Sequence, residues 1–166
     1  MRAFLAVPVS GAFVDQVRRS LSEVPCLRVT PAENIHLTFV FFEDLKDHQM
    51  GDIIGKMKRF RVGHPVRMQL HGPECFPSDG QCRVIVLKDL FLQTSELYAS
   101  VTKEIVRNPE RRRFQPHVTV ARTTGKCSMN LQPVTVETEA ASLVLFRSDL
   151  RPTGPLYSKL YEIQLM

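Results

Sequence analysis

The sequence predicts an α+β fold, its repeated helix-then-strand order suggesting two similar lobes that face each other, and three observations carry that reading. Helix-periodic stretches alternate with short apolar strands, and the helix-then-strand order repeats. Two of the strands hold the same pattern 81 residues apart, His36-Leu37-Thr38-Phe39 and His117-Val118-Thr119-Val120, one for each lobe. No low-complexity segment or flexible linker interrupts the 166 residues, so 1–166 is expected to form a single bilobal domain.

Residues 2–8 read as a buried strand. Ser10 is the natural cap of a helix over 11–23, whose Phe13, Val14, Val17 and Leu21 fall on one face. A short strand through Leu27 and Val29 stops at Pro31, and 31–34 turns the chain into a strand over 35–42. That strand is apolar almost throughout, which predicts a central place with both faces covered. Asp47 caps a second helix running to about Phe60, with Met50, Ile53, Ile54 and Met57 as its buried stripe and Gly51 and Gly55 weakening its interior. Val66, Met68 and Leu70 alternate as a strand, a loop is expected over 72–80, and 84–87 form another buried strand. Leu97, Val101 and Ile105 mark a helix over 93–107. The strand of His117 follows, then a polar loop over 123–132, strands at 134–138 and 140–147, and a closing strand at 159–165.

The two repeated patterns are where chemistry is expected. Residues i and i+2 of a strand share a face, so each motif presents an imidazole beside a hydroxyl while its apolar residues turn to the core. One histidine in a strand is ordinarily satisfied by a backbone carbonyl. A matched pair of His-Thr strands is better explained as a site. Buried in a central strand, His36 and Thr38 must be hydrogen-bonded or line a cleft. Arg122 ends the second motif. In an unbroken strand it faces away from His117 and Thr119, whereas a strand end or a bulge turns it toward a bound phosphate. Arg107, Arg111, Arg112 and Arg113 precede the same strand, either as a solvated loop or as a rail for a nucleic-acid backbone. Lys56, Lys58, Arg59 and Arg61 read as the exposed end of the second helix.

Composition narrows the class. Hydrophobic residues make up 43% and charged residues 23%, ordinary for a globular protein, and no run approaches the ~18 apolar residues of a membrane span. The opening apolar stretch is short, contains Pro8 and lacks a signal-peptide cleavage pattern, so a cytoplasmic protein without membrane attachment is expected. A formal net charge of +5 favours a polyanionic partner. Cys26, Cys75, Cys82 and Cys127 include no Cys-x-x-Cys pair and are expected to be reduced. The spacing of His71, Cys75 and Cys82 matches no zinc pattern, and neither metal nor cofactor is expected.

At the two motifs the sequence resembles the 2H phosphoesterases, and within them the RNA 2′,3′-cyclic phosphodiesterases also called 2′-5′ RNA ligases. The resemblance spans nearly the whole chain. It takes in Arg2-Ala3-Phe4-Leu5-Ala6-Val7-Pro8, Pro31-Ala32-Glu33-Asn34-Ile35-His36, the turn Phe76-Pro77-Ser78, Phe114-Gln115-Pro116-His117 and Gly154-Pro155-Leu156-Tyr157. One departure follows the first motif, where Phe42-Glu43-Asp44 replaces the usual apolar-Gly-Glu and puts the local turn in question. The resemblance implies two antiparallel sheets in pseudo-twofold relation with helices outside. It also implies metal-free hydrolysis of RNA 2′,3′-cyclic phosphate ends, tRNA fragments among the candidates, to a 2′-phosphomonoester, with a weak reverse joining through a 2′-5′ bond. It makes His36 the proton donor and His117 the proton acceptor, a division that the residue types alone leave open. Two imidazoles suit such chemistry because their pKa lies near neutrality, and Thr38 and Thr119 can donate to non-bridging phosphate oxygens. A monomer is expected. The rival readings are an enzyme acting on small 2′,3′-cyclic nucleotides or 2′-5′ oligoadenylate, and a non-catalytic RNA-binding module.

Overall fold

The computed structural model describes residues 1–78, 80–107, 113–127 and 129–166. In chain order the described residues form β1 (Ala3–Pro8), α1 (Ala12–Ser22), β2 (Leu27–Val29), β3 (His36–Phe42), α2 (Asp47–Met57), β4 (Val66–Ser78), β5 (Gln81–Asp89), α3 (Gln93–Glu104), β6 (His117–Thr123), β7 (Val134–Ala140), β8 (Ser142–Arg151) and β9 (Gly154–Gln164). A single 3-10 turn, Ala32–Asn34, leads into β3. No helix among these residues is long and apolar enough to cross a membrane.

Every described strand pairing is antiparallel, and the strand order is β7-β4-β5-β6-β3-β1-β8-β9, with β2 pairing β6. The order splits into two halves of four strands, β9-β8-β1-β3 and β7-β4-β5-β6, which run outward from β3 and β6. This is the expected α+β, pseudo-twofold bilobal arrangement, with the cleft where the halves meet.

Strand alternation explains the layering. Ala3, Leu5 and Val7 of β1, with Leu143 and Leu145 of β8, enter the main core under the helices. There they meet Val14, Val17 and Leu21 of α1, Ile53 and Met57 of α2, and Leu97 and Val101 of α3. The intervening Phe4, Ala6, Val144 and Phe146 form a second apolar cluster on the opposite face, toward the cleft. β3 is central in the strand order, but only its helix-side face is covered. The other lines the cleft, where Thr38 is exposed and His36 and Phe41 are partly buried, so the expectation of two covered faces is corrected.

The structure corrects the sequence reading in four further places. The segment 72–80, expected to be a loop, continues β4 as far as Ser78, so Phe76-Pro77-Ser78 is strand rather than turn. Gly72 and Pro73 read as breakers, yet the register shift between His71 and Glu74 absorbs them and pairing resumes at Glu74↔Val86. Glycine is required here: Gly72 has φ +152°, and a Cβ would meet the Val86 carbonyl oxygen at 2.6 Å. Helix limits shift slightly. Gly11 and Lys46 precede α1 and α2 where Ser10 and Asp47 were expected as caps, and α3 ends at Glu104. The closing strand begins at Gly154 because β8 and β9 form a hairpin paired from Arg151↔Gly154 onward. Finally, the cysteines are paired, Cys26 with Cys127 and Cys75 with Cys82, at Cα separations of 5.4 and 5.1 Å. The first pair lies 101 residues apart in sequence and meets because Leu27↔Thr123 pairing joins β2 to the end of β6. The second spans the β4–β5 hairpin.

Asp89 anchors the junction that leads toward the second motif. Nearly buried, it accepts hydrogen bonds from the Gln69 and Phe91 amides at 2.9 and 3.1 Å and from the Thr94 hydroxyl at the start of α3. Its own N–H donates to the Pro116 carbonyl, one residue before His117.

Two glycine substitutions should move stability in opposite directions. Gly72→Ala meets backbone at a left-handed φ and should cost about 1–3 kcal/mol in urea unfolding. Gly51→Ala, inside α2 with nothing within 4 Å of the added methyl, should gain roughly 0.5–1 kcal/mol. Equal stabilities would show that the bulge at Gly72 relaxes freely.

Candidate active site

The two motifs meet at one pairing. β3 and β6 are antiparallel, and Leu37 is registered against Val118. Carried one residue either way, this register sets His36 opposite Thr119 and Thr38 opposite His117. Opposed residues of an antiparallel pair share a face, so the four polar side chains form a crossed square on one side. Leu37 and Val118, both fully buried, plug the core beneath it. His36, Thr38, His117 and Thr119 all line the same cleft, a cavity of about 720 Å³.

Matching bulges place the next cleft residues. Between Leu5↔Val40 and Ala6↔Thr38 the β1–β3 register leaves Phe39 unopposed, and between Ile85↔Ala121 and Val86↔Thr119 the β5–β6 register leaves Val120 unopposed. Each bulge puts two consecutive residues in the core, Phe39 and Val40 in one strand and Val120 and Ala121 in the other. The following residue, Phe41 or Arg122, then returns to the cleft. Arg122 thus faces the same way as His117 and Thr119.

The rings are held alike. His36 Nδ1 lies 2.7 Å from the Asn34 carbonyl, and His117 Nδ1 lies 2.7 Å from the Gln115 carbonyl. A carbonyl can only accept, so each Nδ1 carries the hydrogen and Nε2 is the atom left for a ligand. Their surroundings differ. His36 stacks on Phe4 at 4.7 Å and meets Tyr157 edge-on at 5.5 Å, against the second apolar cluster. His117 stacks on Phe76 at 5.6 Å. Burial holds the His36 pKa below its ordinary value; the bond to Asn34 opposes this, and the nearby His117 lowers it further.

The cleft also receives Arg2, Phe4, Arg28, Asn34, Phe41 and Tyr157, none of which carried a role in the sequence reading. Arg2 lies over the Phe41 ring at 5.1 Å. Burial raises the Tyr157 pKa, while Arg122 and Arg2 oppose that rise, which places both cations near its hydroxyl. Arg2, Phe4, Asn34, Phe76 and Tyr157 all sit in the stretches that carried the family resemblance, and that was the available signal. Arg28 had none, being a lone cation in a three-residue strand.

The other basic groups lie elsewhere. Arg107 and Arg113 are exposed and do not line the cleft, and Arg111 and Arg112 fall outside the described residues. Lys56 pairs with Asp52 along α2, and Arg61 donates to the Lys58 and Phe60 carbonyls. Among the described residues no group of three His, Cys, Asp or Glu side chains is arranged to hold a metal ion.

No family model matches the chain. The RNA 2′,3′-cyclic phosphodiesterase of Methanothermobacter thermautotrophicus is 30% identical over 183 residues, covering 99% of each chain. A crystal structure of a Thermus thermophilus protein aligns with a TM-score of 0.79 and 28% identity, covering 99% of this chain and 98% of its own. Apo E. coli LigT shares the fold with a TM-score of 0.82 at 19% identity, over 99% of this chain and 96% of its own.

The environment of His36 has a measurable consequence. Unfolded, the ring titrates near about pH 6.5; folded, it takes its proton only at lower pH. Above both values it contributes nothing. Stability falls as pH drops from the unfolded value toward the folded one, because the unfolded chain binds the proton first. Urea unfolding at about pH 7.5 and about pH 5.5 should show a loss in the wild type that shrinks in His36→Gln. The same loss in both proteins would show that the ring is not kept neutral by burial.

Proposed function

Because the chain belongs to the RNA 2′,3′-cyclic phosphodiesterase family, an enzyme family of 2H phosphoesterases, we propose that it opens the terminal 2′,3′-cyclic phosphate of an RNA by paired histidine acid–base catalysis. The observation that carries this reading is the crossed His-Thr square across Leu37 and Val118, with each Nδ1 tied to a carbonyl and each Nε2 free. Two proton-transfer groups with equivalent anchoring are what in-line displacement at phosphorus needs.

In the proposed reaction the cyclic phosphate lies between the rings. His117 Nε2 takes a proton from water as its oxygen bonds to phosphorus. The bond from phosphorus to O3′ breaks, and His36 Nε2 delivers its proton to O3′, leaving a 2′-phosphomonoester. Exchange with solvent restores both rings. Thr38 and Thr119 donate to the non-bridging oxygens, where charge is held through the transition state. Arg122 is a substrate-binding cation further along the same face of the cleft. In the free protein burial keeps His36 largely neutral near pH 7, so its role as donor depends on the bound phosphate, whose negative charge favours the imidazolium. With an RNA 5′-hydroxyl in place of water, the same transfers join two RNAs through a 2′-5′ bond, a weak ligase activity.

The proposal includes a bilobal monomer that works in the cytoplasm without a metal, on RNA ends such as those of tRNA fragments. Disulfides ordinarily persist in oxidising surroundings. Rapid alkylation of freshly lysed cells should find Cys26, Cys75, Cys82 and Cys127 protected as the two disulfides, and free thiols there would show that the pairs do not form in the cytoplasm.

Turnover of an RNA with a 2′,3′-cyclic end is the direct test. It should survive exhaustive chelation; loss with EDTA and recovery with one divalent ion would end the metal-free mechanism. The pH profile of kcat/KM should be bell-shaped, with limbs that belong to the coupled pair. His36→Ala and His117→Ala should each cost on the order of 10²–10⁴-fold, and the double variant far less than their product. Thr38→Ala and Thr119→Ala should cost roughly 10–10³-fold. A diester with a good leaving group needs no acid, so it should rescue His36→Ala and not His117→Ala. The opposite pattern would exchange the two roles.

A further inference from the structure

Arg28 and Arg122 stand directly opposite each other where β2 pairs with β6. Both line the cleft on the face of the two histidines. Like charges opposed across a strand pair repel. Nothing on the protein relieves them: among the described residues neither guanidinium has a carboxylate within 4.0 Å, and no Asp or Glu lines the cleft. The pair is nevertheless held firmly. The Cys26–Cys127 disulfide brackets it, and the Thr124 amide donates to the Cys26 carbonyl at 3.0 Å. Arg28 Nη2 also donates to the Thr153 carbonyl at 2.9 Å, in the β8–β9 turn on the far side of the cleft. That bond uses one donor and leaves the rest of the fork free. Two opposed guanidiniums, that of Arg28 clamped to the Thr153 carbonyl, without a carboxylate partner among the described residues make a site for an anion with oxygens on two sides.

Its location says which anion. Five strand positions separate His117 from Arg122, on the order of 15 Å along β6. Arg28 is tied to the Thr153 carbonyl in the β8–β9 turn, so a ligand that engages both guanidiniums must continue along the cleft beyond the histidines. We propose that Arg28 and Arg122 together bind the phosphodiester one nucleotide upstream of the reacting end, so that the enzyme selects an RNA chain over a free cyclic nucleotide. This rests on the phosphodiesterase reading of the same cleft. A nucleoside 2′,3′-cyclic phosphate has no second phosphate and leaves the arginine pair unneutralised. A dinucleotide with a cyclic end supplies one.

The test compares kcat/KM for three substrates: a 2′,3′-cyclic mononucleotide, a dinucleotide with a 2′,3′-cyclic end, and the same dinucleotide with its internal linkage replaced by an uncharged methylphosphonate. The wild type should prefer the native dinucleotide over the mononucleotide by on the order of 10–100-fold, mainly through KM, as expected for charge-assisted phosphate contacts. The methylphosphonate should lose most of that preference. Arg28→Ala should lower the dinucleotide-to-mononucleotide ratio about tenfold, and Arg28→Lys should recover part of it, since a point charge replaces the fork. The salt dependence of KM for the native dinucleotide should flatten in Arg28→Ala. If the wild type cleaves the methylphosphonate as well as the native dinucleotide, the pair does not read the internal phosphate and the proposal falls, while the phosphodiesterase function stands. If no cyclic substrate is turned over, both fall.

Discussion

The registered contact of Leu37 with Val118 is the constraint on which the rest of this structure depends. It is where the two half-sheets are sewn together, and it is also the centre of the pseudo-twofold relation, because Leu37 and Val118 occupy equivalent places in the two motifs. Strand periodicity does the rest. With these two side chains driven into the core, their neighbours must emerge on the other face, and antiparallel pairing crosses each histidine with the other strand's threonine. Slipping either strand by one residue would turn its own histidine and threonine into the core and expose its apolar plug. The hydrophobic effect that closes the interface therefore aims the site as well.

Symmetry sets up the site and its breakage gives the two sides different characters. Anchoring of the rings is the same, each Nδ1 bound to the carbonyl two residues earlier. The bulges are the same, each returning the third residue after the threonine to the cleft. What differs is the packing behind each ring and the residue each bulge delivers. β1 and β8 place Phe4 and Phe146 under His36, so burial disfavours its charged form. The first bulge presents Phe41, under the Arg2 guanidinium, and the second presents Arg122 itself.

The cationic lining is costly for the isolated protein. Arg2, Arg28 and Arg122 converge on a cleft that has no acidic lining residue among the described residues, and the fold holds two of them in opposed register with a disulfide beside the junction. Such an arrangement is stable because the core beneath it is extensive, and it becomes favourable when an anion supplies the missing charge. Cys75–Cys82 does for the β4–β5 hairpin what Cys26–Cys127 does for β2, and the adjacent Phe76 is the ring that stacks on His117.

How much of this was legible in the sequence follows from the range of each interaction. The α+β class, most elements and the His-Thr pattern are local facts. They depend on spacings of two to four residues, and β1, β3, the helices and the faces of His36 and His117 could be read from them. The family resemblance supplied the pseudo-twofold layout that periodicity alone scarcely supports. The strand character of residues 72–78 was hidden because Gly72 and Pro73 signal a break, whereas the partner strand tolerates them in a bulge. The direction of Arg122 was open for the same reason, since no pattern within β6 announces which residue its neighbour will leave unopposed. Cys26 and Cys127, and Arg28 and Arg122, are close only because β2 lies on β6, a pairing across almost a hundred residues. By itself, then, the sequence determined which strands carry reactive side chains and which face of each strand shows them. Only the tertiary structure decided which strands meet, in what register and with what bulges, because those depend on cross-strand hydrogen bonds and core packing between residues that are distant in the chain.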